Sequence, residues 1–234
     1  MRVEETFDEL YFNDARADMV QKATNIIRDK IIMQEYQGGT ILAEVKLAEE
    51  CNTSRGTIRA ALKELQSQGL VLSLPNGRKQ VIGFTTKYIN DLYEMRKILE
   101  CKALEEILND DKIRVHFLND AIQLIDLLNS DANSSRDKHT WLDFQIHNSI
   151  IKGSENNIIT QCWNTIAPVL ITILKINSSI SEVKRHSEQY YDKHNEIIQL
   201  VIDHDYSAIN VLNEHLDASK DLIINTLRQL NYIE

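Results

Sequence analysis

The chain has 234 residues, of which 43% are hydrophobic and 6% aromatic, and its formal net charge is -9. This length suits one large or two modest domains, and the low aromatic, glycine and proline content favours helices over a β-sandwich or barrel. The negative charge argues against a protein that coats nucleic acid with its whole surface. Three widely spaced cysteines without a CxxC pair argue against a disulfide framework and indicate the reducing cytoplasm.

The sequence predicts no targeting or membrane segment. The first residues, MRVEETFDEL, are acidic and unlike a signal peptide, and no run of about 18 residues is uniformly apolar. We expect a tail over residues 1–15, one domain over 16–85 and a second over 86–234. Residues 38–84 carry six Lys/Arg against four Glu, which leaves a net -11 on the rest of the chain. A slightly basic module joined to an acidic one is typical of a DNA-contacting head on a soluble body.

The first domain is predicted to begin with three helices. A helix is expected over 17–33, a short helix within 41–52, and a third over 54–69 after a tight turn at Asn52-Thr53. The candidate core positions of the short helix are Val45, Leu47, Ala48 and Cys51. Two short helices joined by a tight turn form a helix-turn-helix pattern.

The helix predicted over 54–69 has two distinct faces. An apolar stripe at helical spacing comprises Ile58, Ala61, Leu62 and Leu65. Arg55, Arg59 and Lys63 recur four residues apart and form a basic row, which suits the major groove of DNA. The alternative is a solvated cationic face on an ordinary amphipathic helix.

A hairpin is predicted directly after this helix. Residues 70–74 and 80–84 read as strands, and Asn76-Gly77 is a strong turn signal because both residues tolerate positive φ. Arg78 and Lys79 lie at the expected tip. The hairpin is either a wing that reaches a neighbouring groove or the DNA backbone, or a surface hairpin with solubilising charges; its position beside the basic helix favours the wing.

The segment from about Gly38 to Gly83 resembles the winged-helix domain of the GntR family of bacterial transcription regulators. The residues that fit the family pattern are Leu42, Glu44, Leu47, Ala48, Ser54, Arg55, Ile58, Arg59, Ala61, Leu62, Leu65, Gly69, Leu70, Gly77 and Val81. The resemblance implies that a homodimer contacts a double-stranded DNA operator. The implied DNA-binding residues are Arg55, Thr57, Arg59, Lys63, Gly77 and Arg78.

The chain departs from the family pattern at several positions of this domain. Gly56 and Thr57 stand where the family often has Thr-Pro, and Ala60 replaces the usual Glu. Val45 lies near the position where some members carry a DNA-contacting Arg. These departures bear on the operator sequence rather than on DNA binding itself.

The second domain is predicted to be helical throughout. The expected helices cover about 90–108, 113–128, 138–152, 157–176, 181–203 and 206–230, with a loop over 130–137. The first shows an apolar stripe that includes Leu92, Met95 and Leu99. Pro168 predicts a kink or a break in the fourth. The fold class is therefore mainly α: an N-terminal winged helix-turn-helix followed by an antiparallel all-helical bundle of six or seven helices.

Four polar side chains in this bundle lie on predicted apolar faces. Asp143 and His147 are four residues apart on one helix, His194 heads an apolar stripe on another, and His215 lies between two leucines on a third. Buried polar groups need partners, and a divalent cation bound by three imidazoles and one carboxylate satisfies all four. Alternatively each His is a hydrogen-bonded core residue, and Asp143 pairs with His147.

Residues 88–230 resemble the FCD-type C-terminal domain of the FadR-like subgroup of that family. LYEMRKILE resembles its first-helix signature, and WLDFQIHNSIIKGSEN resembles its D-x-x-x-H helix followed by an Asn, with Glu155 in place of a smaller residue. The resemblance implies that Zn, Ni or Mn is bound by Asp143, His147, His194 and His215. It also implies a small carboxylate effector, with Arg96 and Asn156 near it, although Arg96 could equally be a surface or interface residue.

Three functions are compatible with these patterns. The first is a cytoplasmic regulator in which an organic acid bound at the metal changes operator affinity; no membrane is involved and the protein is not an enzyme. The second is a metal-dependent hydrolase, which leaves the winged helix unexplained and lacks an obvious general base. The third is a metal-free regulator that binds an acyl ligand, which would leave Asp143 and His147 facing an apolar tail.

Overall fold

The computed structural model describes residues 15–130, 136–178 and 187–234. The chain divides into two compact units: one comprises the chain up to Thr85 with Tyr232–Glu234, and the other Thr86–Asn231. The predicted tail lies outside the described residues except for Ala15, which begins the first helix. The described residues are mainly helical with one small antiparallel sheet, so the predicted fold class is confirmed.

In the described part of the first unit, three helices combine with a three-stranded sheet. The helices are α1 (Ala15–Ile32), α2 (Glu44–Glu50) and α3 (Arg55–Ser67). The strands are β1 (Ile41–Leu42), β2 (Val71–Ser73) and β3 (Lys79–Val81), in the antiparallel order β1-β3-β2. α3 packs against α1 and α2, so the helix-turn-helix is held on one side by the first helix.

Strand β1 was not predicted. The sequence interpretation placed 41–52 in one helix, but Ile41 and Leu42 are extended and pair with Gln80 and Lys79 of β3. The helix therefore begins only at Glu44. Val45 was wrongly predicted to be a core residue: it is 53% exposed, because so short a helix buries little beyond Leu47.

Helix α3 follows its sequence pattern closely. Ser54 caps its N-terminus by accepting a hydrogen bond from the Thr57 amide at 3.1 Å. The chain leaves the helix through Gly69, whose φ of +72° is accessible mainly to glycine. The predicted inward stripe is fully buried: Ile58, Ala61, Leu62 and Leu65. One face of α3 is thus fixed in the core, which leaves the basic row on the outside.

The hairpin uses a different turn from the one expected. Of the two residues predicted to form the turn, Gly77 has a positive φ of +79°, whereas Asn76 does not. The Gly77 amide donates to Leu74 O at 2.9 Å, and the Leu74 amide donates to Arg78 O at 2.8 Å. This is a turn with Pro75 at its second position followed by a left-handed glycine, which gives a three-residue loop rather than a two-residue one.

The second unit contains six helices within the described residues. They are α4 (Thr86–Asn109), α5 (Asp111–Ser130), α6 (Arg136–Gly153), α7 (Asn157–Ser178), α8 (Ser187–Ile202) and α9 (Ser207–Gln229). Ser130 and Arg136, which were predicted to lie in the loop over 130–137, are helical. Residues 131–135 of that loop lie outside the described residues, as do residues 181–186 of the helix predicted over 181–203. Met95 was wrongly predicted to lie on the apolar face of α4; it is half-exposed.

Helix α7 is continuous through Pro168. The predicted break does not occur, because α7 is packed against α4, α6 and α9, and these contacts offset the hydrogen bond that proline cannot make. Among the described residues, one stretch of α7, 157–174, has the length and apolar composition of a membrane span, a test that buried helices of soluble bundles also pass.

Truncation of the buried face of α3 tests its packing. We expect Leu62→Ala to lower the free energy of unfolding of the first unit by about 2–5 kcal/mol, since it leaves a cavity in a fully buried site. Lys63→Ala, on the exposed face, should change it by less than about 0.5 kcal/mol. Urea denaturation followed by circular dichroism measures both, and equal effects of the two substitutions would contradict this packing.

Candidate functional site

The outer face of α3 carries the predicted basic row. Arg55, Arg59 and Lys63 are all exposed. Thr57 is half-buried, and its hydroxyl lies 2.9 Å from the oxygen of Ser54. The hydroxyl of Thr57 is therefore engaged in the helix cap, whereas the three cations lie on the solvent-exposed face of α3.

Glu44 holds two of these cations, a role that sequence reasoning missed. Its Oε2 accepts a hydrogen bond from Arg59 Nε at 2.8 Å and lies 3.7 Å from Arg55 Nη2. Exposed ion pairs of this kind contribute at most about 1 kcal/mol. Their effect here is to place two guanidinium groups side by side one turn apart on α3.

The predicted wing residues lie in an exposed turn. The backbone N–H of Arg78 donates to Asn76 Oδ1 at 3.1 Å, and the Arg78 side chain is exposed beside Gly77. Lys79, by contrast, donates to Gln66 Oε1 at 2.6 Å. Lys79 therefore ties β3 to the end of α3, and Arg78 is the cation of the hairpin tip.

The second unit brings four predicted residues together in its interior. Asp143 and His147 come from α6, His194 from α8 and His215 from α9. All four are buried, and one ligand atom from each lies within 4.8 Å of the others. Asp143 Oδ1 lies 3.3 Å from His194 Nε2, so the contacts of Asp143 are not limited to the histidine on its own helix.

The spacing of these atoms fits a metal ion. His147 Nε2 lies 3.2 Å from His194 Nε2 and 3.3 Å from His215 Nε2. Neighbouring ligands of a metal with bonds of about 2.0–2.1 Å are separated by roughly 2.8–3.0 Å in octahedral sites and roughly 3.3–3.4 Å in tetrahedral sites. Asp143 Oδ1 is buried without a hydrogen-bond partner in the described part of the chain. Three imidazole nitrogens and a carboxylate oxygen are the donor set that Zn, Ni and Mn accept.

The buried environment sets the protonation of these groups in the absence of a cation. Burial raises the pKa of Asp143 to about 7, although the Arg96 guanidinium opposes the shift. Burial, aided by Arg96, holds the pKa of His147 well below its ordinary value, and burial does the same for His215. Neutral imidazoles are the form that binds a metal, so these two side chains are prepared for coordination.

Two charged residues of α4 lie beside the cluster. Arg96 is 1% exposed and Glu100 is 0% exposed, so Arg96 is not a surface residue. Arg96 Nε donates to Glu100 Oε1 at 2.5 Å, and Glu100 Oε2 lies 2.6 Å from His147 Nδ1. Sequence reasoning missed Glu100. The signal was present, since Glu100 lies four residues after Arg96 and beside Leu99 on the same inward stripe.

Asn156 makes contacts that belong to helix packing. Its Oδ1 accepts from the amides of Ile158 at 3.0 Å and Ile159 at 3.1 Å, which caps the N-terminus of α7. Its Nδ2 donates to the Glu106 carboxylate at 3.1 Å. Both ends of the Asn156 side chain are thus occupied by structural partners, so an effector contact there remains a prediction.

Comparisons with known proteins agree with the fold of the chain. Residues 20–81 match the family described as bacterial regulatory proteins, gntR family, and residues 91–218 match the FCD domain. The chain therefore belongs to the GntR family, with an FCD domain, and is a DNA-binding transcription regulator.

Named relatives are transcription regulators. The gluconate operon transcriptional repressor of Bacillus licheniformis is 28% identical over 75% of this chain and 72% of its own length. The gluconate operon transcriptional repressor of Bacillus subtilis is 26% identical over 84% of this chain and 82% of its own length. A GntR transcriptional regulator from Rhodococcus sp. RHA1 shares the fold, with a TM-score of 0.59 at 20% identity over 88% of this chain and 97% of that one.

The contacts of Asn156 give a direct test of its role. We expect Asn156→Ala to lower the free energy of unfolding of the second unit by about 1 kcal/mol, because α7 loses its cap. Asn156→Ser retains an oxygen acceptor and should recover most of that loss. Thermal denaturation of the three proteins measures the difference; equal stability of all three would contradict the capping role.

Proposed function

We propose that the protein is a cytoplasmic, metal-containing repressor whose affinity for operator DNA changes when a small organic acid binds in the helical unit. One observation carries this proposal: Asp143, His147, His194 and His215 converge in the interior of a unit that is joined to a winged helix. A buried set of four ligands is costly without a cation and suits a ligand-binding centre.

The DNA-binding part of the proposal rests on the exposed face of α3 and the wing. A homodimer would place two copies of α3 in successive major grooves of a pseudo-palindromic operator. Arg55 and Arg59 are suited to guanine or phosphate, and Lys63 to phosphate. Thr57 would contact the DNA from the N-terminus of α3, and Gly77 and Arg78 would contact it from the hairpin tip.

The effector part of the proposal rests on the metal ligands and Arg96. A divalent Zn, Ni or Mn ion with open coordination positions supplies a Lewis-acidic anchor for a carboxylate. Arg96 provides a buried positive charge near that anchor. Two relatives are named gluconate operon repressors, which supports a hydroxylated sugar acid or a similar small carboxylate as the effector class.

The buried polar cluster disfavours a metal-free site for an acyl ligand. An apolar tail in this interior would leave Asp143 Oδ1, which has no hydrogen-bond partner among the described residues, facing hydrocarbon at a cost of roughly 1–3 kcal/mol. A small carboxylate at a metal satisfies the same atom. Effector and operator binding are then linked, and the effector must change DNA affinity by the factor by which DNA changes effector affinity.

Removal of single cations tests the DNA-binding face. We expect Arg55→Ala and Arg59→Ala each to weaken binding to a duplex that the wild-type protein selects from a randomised pool, by about 1–3 kcal/mol. Lys63→Ala should lower the salt slope of binding by about one unit instead. Lys102→Ala, an exposed cation of the helical unit, is the control. Wild-type affinity in both Arg variants would rule out this face.

Metal analysis tests the second site. We expect about one equivalent of metal per chain in protein purified without a His tag and loaded with Zn, Ni or Mn. His147→Ala should lose the metal, and His116→Ala, an exposed histidine of the same unit, should retain it. Elemental analysis after gel filtration gives the ratio. Absence of metal from the wild-type protein after loading would refute the site.

A further inference from the structure

Glu100 is a buried carboxylate to which the metal proposal assigns no role. It lies on α4, whereas the four proposed ligands lie on α6, α8 and α9. Its side chain is fully buried, and its two oxygens face different partners. Oε1 accepts a hydrogen bond from Arg96 Nε at 2.5 Å, and Oε2 lies 2.6 Å from His147 Nδ1.

These contacts give the two ring nitrogens of His147 different roles. Glu100 Oε2 lies 2.6 Å from Nδ1, the geometry in which a metal-binding histidine donates its Nδ1–H to a carboxylate. A neutral imidazole then presents a lone pair at Nε2. That atom faces His194 Nε2 at 3.2 Å and His215 Nε2 at 3.3 Å, where the proposed metal would bind.

We propose that Glu100, held in place by the hydrogen bond from Arg96, is the positioning residue of the metal centre: it fixes the tautomer and ring orientation of His147 and makes its Nε2 a stronger ligand. The inference rests on the metal centre proposed above and extends it to α4. A carboxylate behind a metal-bound histidine characteristically raises metal affinity about 10–100-fold.

The second contact of Glu100 supports this assignment. A simple structural pair of Arg96 and Glu100 would need no third partner, yet the second oxygen of Glu100 is aimed at the imidazole cluster.

The main variant is Glu100→Gln, and the matched control is Glu105→Gln. Glu105 lies on the same helix and pairs with Lys102 at the surface. We expect zinc affinity, measured by competition with a chelator, to fall about 10–100-fold in Glu100→Gln and to remain at the wild-type value in Glu105→Gln. Equal zinc affinity of all three proteins would refute the role of Glu100 and leave the metal centre itself intact.

A second measurement does not depend on metal. Nitrogen-15 NMR of the metal-free wild-type protein, with the His147 signals assigned by their loss in His147→Gln, reports the imidazole tautomer. We expect His147 with the proton on Nδ1 and a lone pair on Nε2. A proton on Nε2, or an even mixture of tautomers, would overturn the inference regardless of metal affinity.

A double variant guards against misfolding, since Glu100→Gln leaves Arg96 buried beside a neutral residue. Arg96→Met combined with Glu100→Leu removes both charges and keeps a similar volume, a replacement that buried ion pairs often tolerate. We expect it to fold, with an unchanged far-ultraviolet circular dichroism spectrum, and to bind zinc at least 10-fold more weakly. A folded double variant with wild-type zinc affinity would overturn the inference, and failure of the wild-type protein to bind zinc would overturn the metal centre as well.

Discussion

The second unit is organised around the removal of four polar side chains from water. Asp143, His147, His194 and His215 are supplied by three different helices, and each occupies a position that a purely apolar bundle would give to an aliphatic residue. Their desolvation is tolerable only if they share partners, which brings α6, α8 and α9 to one point. A cation at that point would make bundle stability and ligand binding the same physical event.

The same constraint explains why α4 contributes charged residues to the interior. An isolated Glu100 would be costly to bury, but Arg96 and His147 together satisfy both of its oxygens. α4 packs against α5, α6, α7 and α9, so this short chain of hydrogen bonds joins the first helix of the unit to the proposed metal ligands. A carboxylate effector that binds near Arg96 would meet a guanidinium group that its hydrogen bond to Glu100 already holds in place.

Much of the fold follows from periodicity. The apolar stripe of α3 could be predicted from the sequence because a helix of 3.6 residues per turn places positions three and four apart on one side. The basic row follows from the same rule. The sequence predictions that were wrong in the first unit have local structural causes. Ile41 and Leu42 are strand residues only because β3 lies beside them, and Asn76 keeps negative φ because Pro75 and Gly77 set a longer loop.

Spacing within single helices was sufficient to predict the two-faced helix, the helical second unit and the inward direction of Asp143, His147, His194 and His215. The contact between Glu100 and His147 could not be predicted in this way, because it joins residues 47 positions apart on helices whose mutual orientation depends on packing. Which oxygen faces which nitrogen follows from that packing in three dimensions, since differences of a few tenths of an ångström make or break a hydrogen bond.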